Sequence, residues 1–373
     1  MKCQKVKTAI VSVTNDLVSD NRVHRTCTTL AEEGYRVILV GRKLPNSISV
    51  HRTYHTQRFK LLFKKNIWFY AEYNLHLWIY LLFHRCQLLV ANDLDTLPAN
   101  YFASKIKHCP LLYDSHEYFT EVPELVNRKK VQRCWEKIEK CLVPHLPFAV
   151  TVNESLSRIY SEKYHIPFYS IRNLPFKQKQ CKKINVDSYF SFPVKHILIY
   201  QGALNMGRGI ETLIDSISYL NHETVLIIAG QGDIENELKQ RVLNQHLSQN
   251  VLFLGRIPLD DLFAYTTTAD LGFSLEEPMG NNYYYALPNK LFDYIQAGVP
   301  VICSDFPEMR NIINQYHVGK TVPSCNSKEL ASIINEILHD IQQLTQWKEN
   351  CRTASLELCW EKEKQKLIQL LPM

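Results

Sequence analysis

The chain has 373 residues, of which 46% are hydrophobic and 21% charged, with 16 prolines and 12 glycines. At roughly 100–200 residues per domain this length predicts two domains, and the composition excludes a disordered, collagenous or low-complexity chain. The formal net charge of +6 is too small an excess to indicate a nucleic-acid-binding protein.

The eleven cysteines are scattered from Cys3 to Cys359 and form no CxxC pair. A disulfide framework or a zinc site would need pairing or ligand spacing, so we expect reduced thiols, as in a cytoplasmic protein. The apolar run at the N-terminus is short and is followed by polar residues instead of a cleavage site, which argues against a secretory signal.

The first half of the chain alternates short apolar strands with helical patterns. A helix is predicted over Val23–Glu33, and strands are predicted at Thr8–Val13, Tyr35–Val40, Leu88–Ala91, Leu111–Tyr113 and Phe148–Val152. This alternation is typical of parallel βαβ units. Asp93, His116 and Glu117 follow two of these strands, at the carboxyl ends where ligands bind in open α/β sheets.

The same rhythm restarts after a charged segment at 177–183, which we predict to be a linker. Further strands are predicted at His196–Tyr200, Val225–Ala229, Val251–Leu254, Leu271–Ser274 and Val299–Cys303. We therefore predict an α/β protein of two doubly wound domains. The first domain is expected at residues 1–180 and the second at 190–354, with a helix in 355–373 packing back on the first.

A glycine-bearing loop follows the first strand of the second half. Gly202 and Gly207 allow the backbone to approach a ligand, and the helix that starts near Ile210 offers free N–H groups to an anion. Arg208 adds a guanidinium that can hydrogen-bond phosphate oxygens. A tight turn with a solvated arginine is an equally good interpretation of this spacing.

A second motif is a short helix between Pro288 and Gly298. Proline suits the first turn of a helix and glycine its C-terminal cap. Lys290 lies in the first turn, where the helix dipole favours anions, and this misfit points to a phosphate nearby or to a solvated lysine. Asp293 suits a carboxylate that accepts hydrogen bonds from ribose hydroxyls, although an acid near a helix start is also ordinary.

Several segments together resemble the family 4 retaining glycosyltransferases. In the second half these are Gly255–Pro258, Asp270, Glu276–Pro278 and the segment FDYIQAGVPVICSD at 292–305. In the first half, segments 19–42, 91–100 and 113–125 are similar to a bacterial branch of that family. The resemblance implies the GT-B fold, in which two Rossmann-like domains face a central cleft and the nucleotide sugar lies mainly on the second.

The resemblance also implies roles for individual residues. Arg208 and Lys290 would bind the donor diphosphate, and His116 would lie near the transferred sugar and the leaving phosphate. Arg256 and Ile257 would contact the nucleobase, and Asp293 the ribose. The donor-binding set is Gly202, Gly207, Arg208, Gly230, Arg256, Ile257, Glu276, Glu277, Asn289, Lys290, Leu291 and Asp293. The acceptor-side set is Asp20, Arg22, Asp93 and Glu117.

The chain departs from the family pattern at three places. The ribose position holds Asp293 instead of glutamate. Tyr285 stands eight positions before Asp293, where the family has a second glutamate. Glu276 and Glu277 lie farther upstream, separated from the Asp293 motif by the insert MGNNYYYAL. Which of these two glutamates contacts the sugar is left open. The glycine pair after the first strand is missing from Thr14–Asn21.

We expect the reaction to need neither a metal ion nor a cofactor. Asp93-Leu94-Asp95 has the letters of a metal-binding DxD motif, but it lies in the first half, away from the donor loops. Fixed cations and helix N-termini would stabilise the leaving diphosphate instead. The donor is expected to be a sugar nucleotide of the UDP or GDP type.

Basic and aromatic residues concentrate in the first half. They lie in the basic run 127–140, in Phe59–Lys65 and in the aromatic-rich helix predicted over Ile67–Phe83. This composition is typical of a surface that docks on anionic lipid, and equally of a solvated face over a buried helix. Docking would make the protein peripheral on the inner face of the plasma membrane and would suit a lipid-linked acceptor.

The sequence thus favours a retaining glycosyltransferase that moves a sugar to a glycan or lipid-linked saccharide in bacterial polysaccharide biosynthesis. Two alternatives remain. One is a nucleotide-sugar epimerase of the same fold, and the other is a non-catalytic binding or scaffold subunit. Asp293→Ala separates an enzyme from a scaffold, because only an enzyme has turnover to lose.

Overall fold

The computed structural model describes residues 6–18, 20–122, 125, 128–178 and 184–372. The chain divides into two compact units. The first comprises the residues up to Asn173 and those from Glu363 onwards, and the second is Leu174–Lys362. The boundaries predicted from the sequence were 180, 190 and 354, and residues 179–183 of the predicted linker lie outside the described residues.

The first unit is built on a parallel sheet. Its strands are β1 Thr8–Ser12, β2 Arg36–Arg42, β3 His55–Phe59, β4 Leu88–Asn92, β5 Leu111–Ser115, β6 Ala149–Thr151 and β7 Phe168–Ser170. Its helices are α1 Asn21–Glu32, α2 Asn66–Phe83, α3 Leu97–Lys107, α4 Lys129–Leu142 and α5 Glu154–Tyr164. Within the described residues the strand order is β3-β2-β1-β4-β5-β6-β7, with every pairing parallel.

The second unit repeats this architecture. Its strands are β8 His196–Gln201, β9 Thr224–Ala229, β10 Val251–Gly255, β11 Leu271–Ser274, β12 Val301–Ser304 and β13 Gly319–Val322. Its helices are α6 Ile210–Ile217, α7 Glu235–Asn244, α8 Leu259–Thr266, α9 Asn281–Tyr284, α10 Asn289–Gln296, α11 Pro307–Tyr316, α12 Ser327–His339 and α13 Ile341–Ser355. The strand order through the described part is β10-β9-β8-β11-β12-β13, again parallel.

The last helix, α14 Trp360–Leu370, begins in the second unit and ends in the first. Within the first unit, Lys364 Nζ lies 2.6 Å from the Glu32 carboxylate of α1.

The strands of the second sheet contain consecutive apolar residues, which pack into the apolar core on both faces of the sheet. In β8, Leu198 belongs to one apolar cluster and Ile199 to another, and both are fully buried. Successive side chains of a strand point to opposite faces, so a continuous apolar run is the pattern of a sheet covered on both sides. The prediction of two doubly wound α/β domains is confirmed.

The strands that the sequence did not predict lie at the sheet edges. Strand β3 has the sequence HTQRF and is at best half-buried, so it offers no apolar run to recognise. The predicted aromatic-rich helix is present as α2. None of the helices in the described ranges is long and apolar enough to cross a membrane.

In each sheet the strand order reverses once, between β1 and β4 in the first and between β8 and β11 in the second. The crevice beyond the carboxyl ends of the strands at such a reversal is where open α/β sheets bind ligands. The candidate residues of each unit lie at these ends.

Candidate functional site

Helix α6 begins directly after the glycine-bearing loop of the second unit. Its N-cap is Gly209, which has φ +67°, and an added Cβ would lie 2.2 Å from the Leu275 carbonyl oxygen. A side chain is therefore excluded by both conformation and space. This close approach brings the helix N-terminus and the loop 202–209 against the carboxyl end of β11.

A buried carboxylate occupies that end of β11. Glu276 has no exposed side-chain surface, and its Oε1 lies 2.9 Å from Lys290 Nζ and 3.4 Å from Arg208 Nη1. Ser274 Oγ donates to Glu276 Oε2 at 2.8 Å. One carboxylate thus holds two cations that come from different segments of the chain.

The electrostatics of this cluster are set by the ion pairs. Burial raises the pKa of the Glu276 carboxyl, but Lys290 and Arg208 outweigh burial and hold it below its ordinary value. Burial lowers the pKa of Lys290, and Glu276 more than compensates, so this pKa is raised. All three groups are therefore charged at neutral pH.

Lys290 lies in the first turn of α10 and is 8% exposed. Its Nζ lies 4.3 Å from the centre of the Tyr200 ring and 3.2 Å from the Tyr200 hydroxyl. The structure contradicts the interpretation of Lys290 as a solvated lysine. The anion that offsets this lysine at a helix start is Glu276.

The insert after Glu277 covers Arg208. Tyr283 of α9 is 9% exposed, and its ring centre lies 4.8 Å from the Arg208 guanidinium carbon. Gly207 has φ +77°, and a Cβ there would lie 2.2 Å from Met279 Sδ. The inserted residues Met279 and Tyr283 therefore pack against the glycine-bearing loop. The sequence placed the insert but gave no signal for the Arg208–Tyr283 contact.

Asp293 projects from α10 and is half-buried. Gln201, at the end of β8, donates from Nε2 to Asp293 Oδ2 at 3.2 Å, and Thr266 Oγ1 donates to Gln201 Oε1 at 2.7 Å. Tyr294 accepts from the Gln201 backbone N–H at 3.0 Å. Side chains of α8 and α10 thereby fix the end of β8 and the orientation of Asp293.

The other predicted donor residues are distributed around this edge of the sheet. Gly202 follows β8 and donates its N–H to Ala229, and Gly230 follows β9 and donates to Gly255. Arg256, Glu277 and Asn289 are exposed, and Ile257 is half-buried. Leu291 is fully buried in the apolar core, and its backbone N–H donates to the Pro288 carbonyl at 3.2 Å.

A cavity of about 330 Å³ opens beside Glu276 at the ends of β11, β12 and β13. It is lined by both glutamates, Gly209, Thr212, Ser304 and Asp305, among others. This volume lies at the lower end of the range of about 300–1,000 Å³ that is usual for small-molecule sites.

A second polar cluster lies at the carboxyl ends of β4 and β5 in the first unit. His116 Nε2 is 3.0 Å from Asn92 Oδ1 and 3.5 Å from Asp114 Oδ2, and its Nδ1 is 3.4 Å from Asp93 Oδ2. Burial lowers the pKa of this imidazole, but Asp93 and Asp114 dominate and raise it to about 9. His116 is therefore a cation at neutral pH and is not a general base there.

The conformation of Asp93 supports this arrangement. Its φ of +59° is unusual for a residue other than glycine, and its Oδ1 accepts the His116 backbone N–H at 2.8 Å. Two positions further on, Asp95 accepts from Thr14 Oγ1 at 2.6 Å, and burial followed by repulsion from Asp93 raises its pKa to about 7. Asn92, Thr14 and Asp95 are part of this cluster although sequence reasoning did not select them as site residues.

The remaining acceptor-side residues have structural partners. Arg22 is 4% exposed. Its guanidinium forms an ion pair with Asp114, in which Nη2 lies 2.6 Å from Oδ1, and its Nη1 donates to the Ile171 carbonyl at 2.7 Å. Asp20 caps α1 by accepting the Val23 N–H. Glu117 is exposed, and its carbonyl accepts from Ser115 Oγ at 3.0 Å. In the structure Arg22 and Asp20 thus support the cluster and the start of α1.

Among the residues that the structure describes, no group of three or more His, Cys, Asp or Glu side chains could hold a metal ion. This includes Asp93 and Asp95, which both accept hydrogen bonds within the first unit.

Comparisons with known proteins bear on both units. Residues 183–354 match the family model described as glycosyl transferases group 1. A chitobiosyldiphosphodolichol beta-mannosyltransferase of Candida albicans is 23% identical over 199 residues, which cover 51% of this chain and 41% of that relative. The match therefore spans less than half of the relative's length.

Solved structures share the fold over nearly the whole chain. Sucrose-phosphate synthase from Thermosynechococcus elongatus superposes with a TM-score of 0.81 at 18% identity and covers 98% of each chain. Anabaena HepE in complex with UDP-glucose has a TM-score of 0.70 at 14% identity, with 97% of this chain and 98% of that chain covered. The two parallel-sheet α/β domains are thus those of GT-B glycosyltransferase structures.

Proposed function

We propose that this chain, whose residues 183–354 match the group 1 glycosyl transferases, is a retaining glycosyltransferase that uses a nucleoside diphosphate sugar. We further propose that its acceptor is a glycan or a lipid-linked saccharide in bacterial polysaccharide biosynthesis. The observation that carries the proposal is the convergence of Arg208 and Lys290 on one buried carboxylate, beside two helix N-termini.

This arrangement suits a departing diphosphate. Transfer breaks the bond between the anomeric carbon and the diphosphate oxygen, and negative charge grows on that oxygen. Arg208, which retains 25% exposed side-chain surface, and Lys290 would neutralise this charge together with the N–H groups at the start of α6. Glu276 keeps both cations in place, so the site needs little rearrangement when the donor binds.

The other donor contacts follow from position. Asp293, held by Gln201, would accept hydrogen bonds from the ribose, and the exposed Arg256 with Ile257 would meet the base. Glu277 lines the cavity and is exposed, so we assign the sugar contact to Glu277 and the positioning of the cations to Glu276. A UDP-type donor is supported by HepE, which has been crystallised with UDP-glucose.

We propose that His116, in its protonated form, donates a hydrogen bond at the sugar end of the donor. Its charge is stabilised by Asp93 and Asp114, and a protonated imidazole can donate a hydrogen bond but cannot accept a proton. In front-face retention the leaving phosphate itself accepts the acceptor's proton, so the reaction requires no strong base from this cluster.

The proposal is tested by incubating the full chain with UDP-, GDP-, ADP- or dTDP-linked sugars and measuring nucleoside diphosphate release. We expect release from one donor class, undiminished by a chelator, and abolished in Arg208→Ala but not in Arg352→Ala, which removes an exposed arginine of α13. Nuclear magnetic resonance of the product would show retained anomeric configuration. An inverted product would refute the retaining mechanism, and conversion of the sugar without release would favour an epimerase.

Tyr283 offers a finer test of the donor site. Replacing it with leucine removes the ring over Arg208 and is expected to weaken nucleoside diphosphate binding about 2- to 20-fold, the range of a partly desolvated cation–π contact. Tyr283→Phe keeps the ring and should bind like the wild type. The control is Tyr284→Leu at a neighbouring position that is 40% exposed, and calorimetric titration supplies the affinities. Equal affinities for Tyr283→Leu and Tyr283→Phe would contradict the role of the ring.

We also propose that the protein docks on anionic lipid through a surface of the first unit. A cavity of about 260 Å³ is lined by four basic residues, Arg42, Lys43, Lys60 and Lys64, together with Leu61 and Phe63 and others. The rings of Phe63 and Trp68 lie 6.1 Å apart between their centres and are tilted by 32°, and Trp68 is 65% exposed. We call residues 60–68, of which all but Leu61 are exposed, the basic–aromatic surface. Exposed aromatic rings beside lysines are the combination that binds anionic lipid headgroups.

We expect the full chain to sediment with vesicles that contain phosphatidylglycerol and to remain in solution with pure phosphatidylcholine. Trp68→Ser combined with Lys64→Glu and Lys65→Glu should reduce sedimentation strongly, since each lysine near an anionic surface contributes about 1 kcal/mol. Ile341→Ser, which removes a residue of α13 that is 72% exposed, should leave it unchanged. Equal sedimentation of both variants would refute the basic–aromatic surface as the docking site.

A further inference from the structure

Two cysteines meet where β4 and β5 begin. Cys86 precedes β4 and Cys109 precedes β5, and these strands pair in parallel with Leu89 opposite Leu111. Each cysteine lies two positions before its strand, so the pairing of the two strands brings the cysteines close together although their positions in the chain differ by 23. Their Sγ atoms lie 3.6 Å apart, and the cysteines among the described residues are free thiols.

The two thiols differ in access. Cys86 is half-buried, whereas Cys109 is 7% exposed. A reagent from solution therefore reaches Cys86 first, with Cys109 behind it as the partner. A disulfide requires about 2.05 Å between the sulfurs, so bond formation needs an approach of about 1.5 Å.

The charges around the pair favour the thiolate at Cys86. The hydrogen bond from Cys109 lowers the pKa of Cys86, burial opposes this, and the nearby Lys107 adds to the lowering, so the pKa is about 7. Lys107 is held in place by the carbonyls of Leu81, at 2.7 Å, and His84. A thiolate that is partly accessible beside a second thiol is the arrangement of a redox-active cysteine pair.

We propose that Cys86 and Cys109 form a reversible oxidation site for hydroperoxides. The Cys86 thiolate attacks the peroxide oxygen, the O–O bond breaks, and hydroxide leaves, which gives a sulfenic acid at Cys86. The Cys109 sulfur then attacks the Cys86 sulfur, and the S–S bond forms as water leaves. In total two thiols and one hydrogen peroxide give one disulfide and two waters, and a dithiol reductant reverses the reaction.

This site is separate from the candidate donor and acceptor clusters. Cys86 lies before the first residue of β4, whereas the His116 cluster lies beyond the carboxyl end of that strand. The length of β4, at about 3.3 Å per residue, therefore separates the two. The proposal therefore does not depend on the proposed function.

The test treats the reduced full chain with stoichiometric hydrogen peroxide, alkylates the remaining thiols and analyses the digest by mass spectrometry. We expect a peptide linked through Cys86 and Cys109 that disappears on reduction. Cys134 and Cys141, which are exposed on α4, serve as internal controls. We expect them to stay reduced and therefore to be recovered in the alkylated form. In Cys109→Ser we expect a sulfenic acid at Cys86, trapped by dimedone.

Two results would overturn the proposal. The first is oxidation of Cys134 or Cys141 at least as fast as that of Cys86. The second is loss of the Cys86 thiol without a linked peptide in the wild-type chain. Because the wild-type chain supplies both readouts, the test does not depend on the folding of a variant.

Discussion

Lys290→Met is expected to lower the free energy of unfolding by about 3–5 kcal/mol, the cost of breaking a buried ion pair by removing one partner. Lys290 is 2.9 Å from Glu276, whose side chain has no exposed surface. Without the lysine, Arg208 at 3.4 Å is the remaining cation beside this buried carboxylate. Urea denaturation measures the loss.

A double variant separates charge burial from the loss of the lysine itself. Lys290→Met with Glu276→Gln leaves no unpaired carboxylate, so we expect it to regain a large part of the lost stability but no turnover. Lys239→Met removes an exposed lysine paired with Glu235, and its effect should stay within about 0.5 kcal/mol. A double variant no more stable than Lys290→Met would show that the pair is not what stabilises this edge of the sheet.

The second large effect is a fall in the free energy of unfolding as the pH rises, which we expect to be lost in His116→Gln. The pKa of His116 is about 9 in the folded protein, above the ordinary value of 6.5, because the effect of Asp93 and Asp114 exceeds that of burial. Below pH 6.5 both states hold the proton and the stabilisation is complete. Between 6.5 and about 9 unfolding releases a proton, so stability falls as the pH rises.

At 1.36 kcal/mol per pKa unit, the wild type should lose on the order of 3 kcal/mol over this range relative to His116→Gln. Asp95, whose pKa is raised to about 7, also makes stability fall as the pH rises, mainly below pH 7, so the contribution of His116 is read between about pH 7 and 9. Urea midpoints at intervals from pH 6 to 10 give both curves. The control is His339→Gln at the exposed end of α12, which should follow the wild type. Parallel curves for the wild type and His116→Gln would exclude the charged imidazole.

The elements of the fold could be predicted because local patterns encode them. Apolar runs marked the central strands, and Pro288 with Gly298 marked the ends of α10, which the structure gives as Asn289–Gln296. The edge strands β3, β7 and β13 were not predicted, since a strand exposed on one side lacks a continuous apolar run.

For the candidate site, the sequence proposed residues but not the contacts between them. The sequence singled out Glu276 and Lys290, yet their ion pair depends on β11 ending at the same sheet edge where α10 begins. The pair of glutamates also looked equivalent, whereas the structure buries Glu276 and exposes Glu277. His116 is set by Asn92, Asp93 and Asp114 from β4 and β5, and the parallel register of these strands supplies that proximity.

The central claim is that Arg208 and Lys290 form the diphosphate site of a sugar-nucleotide donor. It is tested most directly by calorimetric titration of UDP and GDP into the full chain in a buffer free of divalent metal ions. We predict saturable binding of one of them, weakened about 10- to 100-fold in Arg208→Ala by the loss of a charge-assisted contact, and unchanged in Arg352→Ala. Absence of binding, or equal affinity in Arg208→Ala and the wild type, would contradict the account.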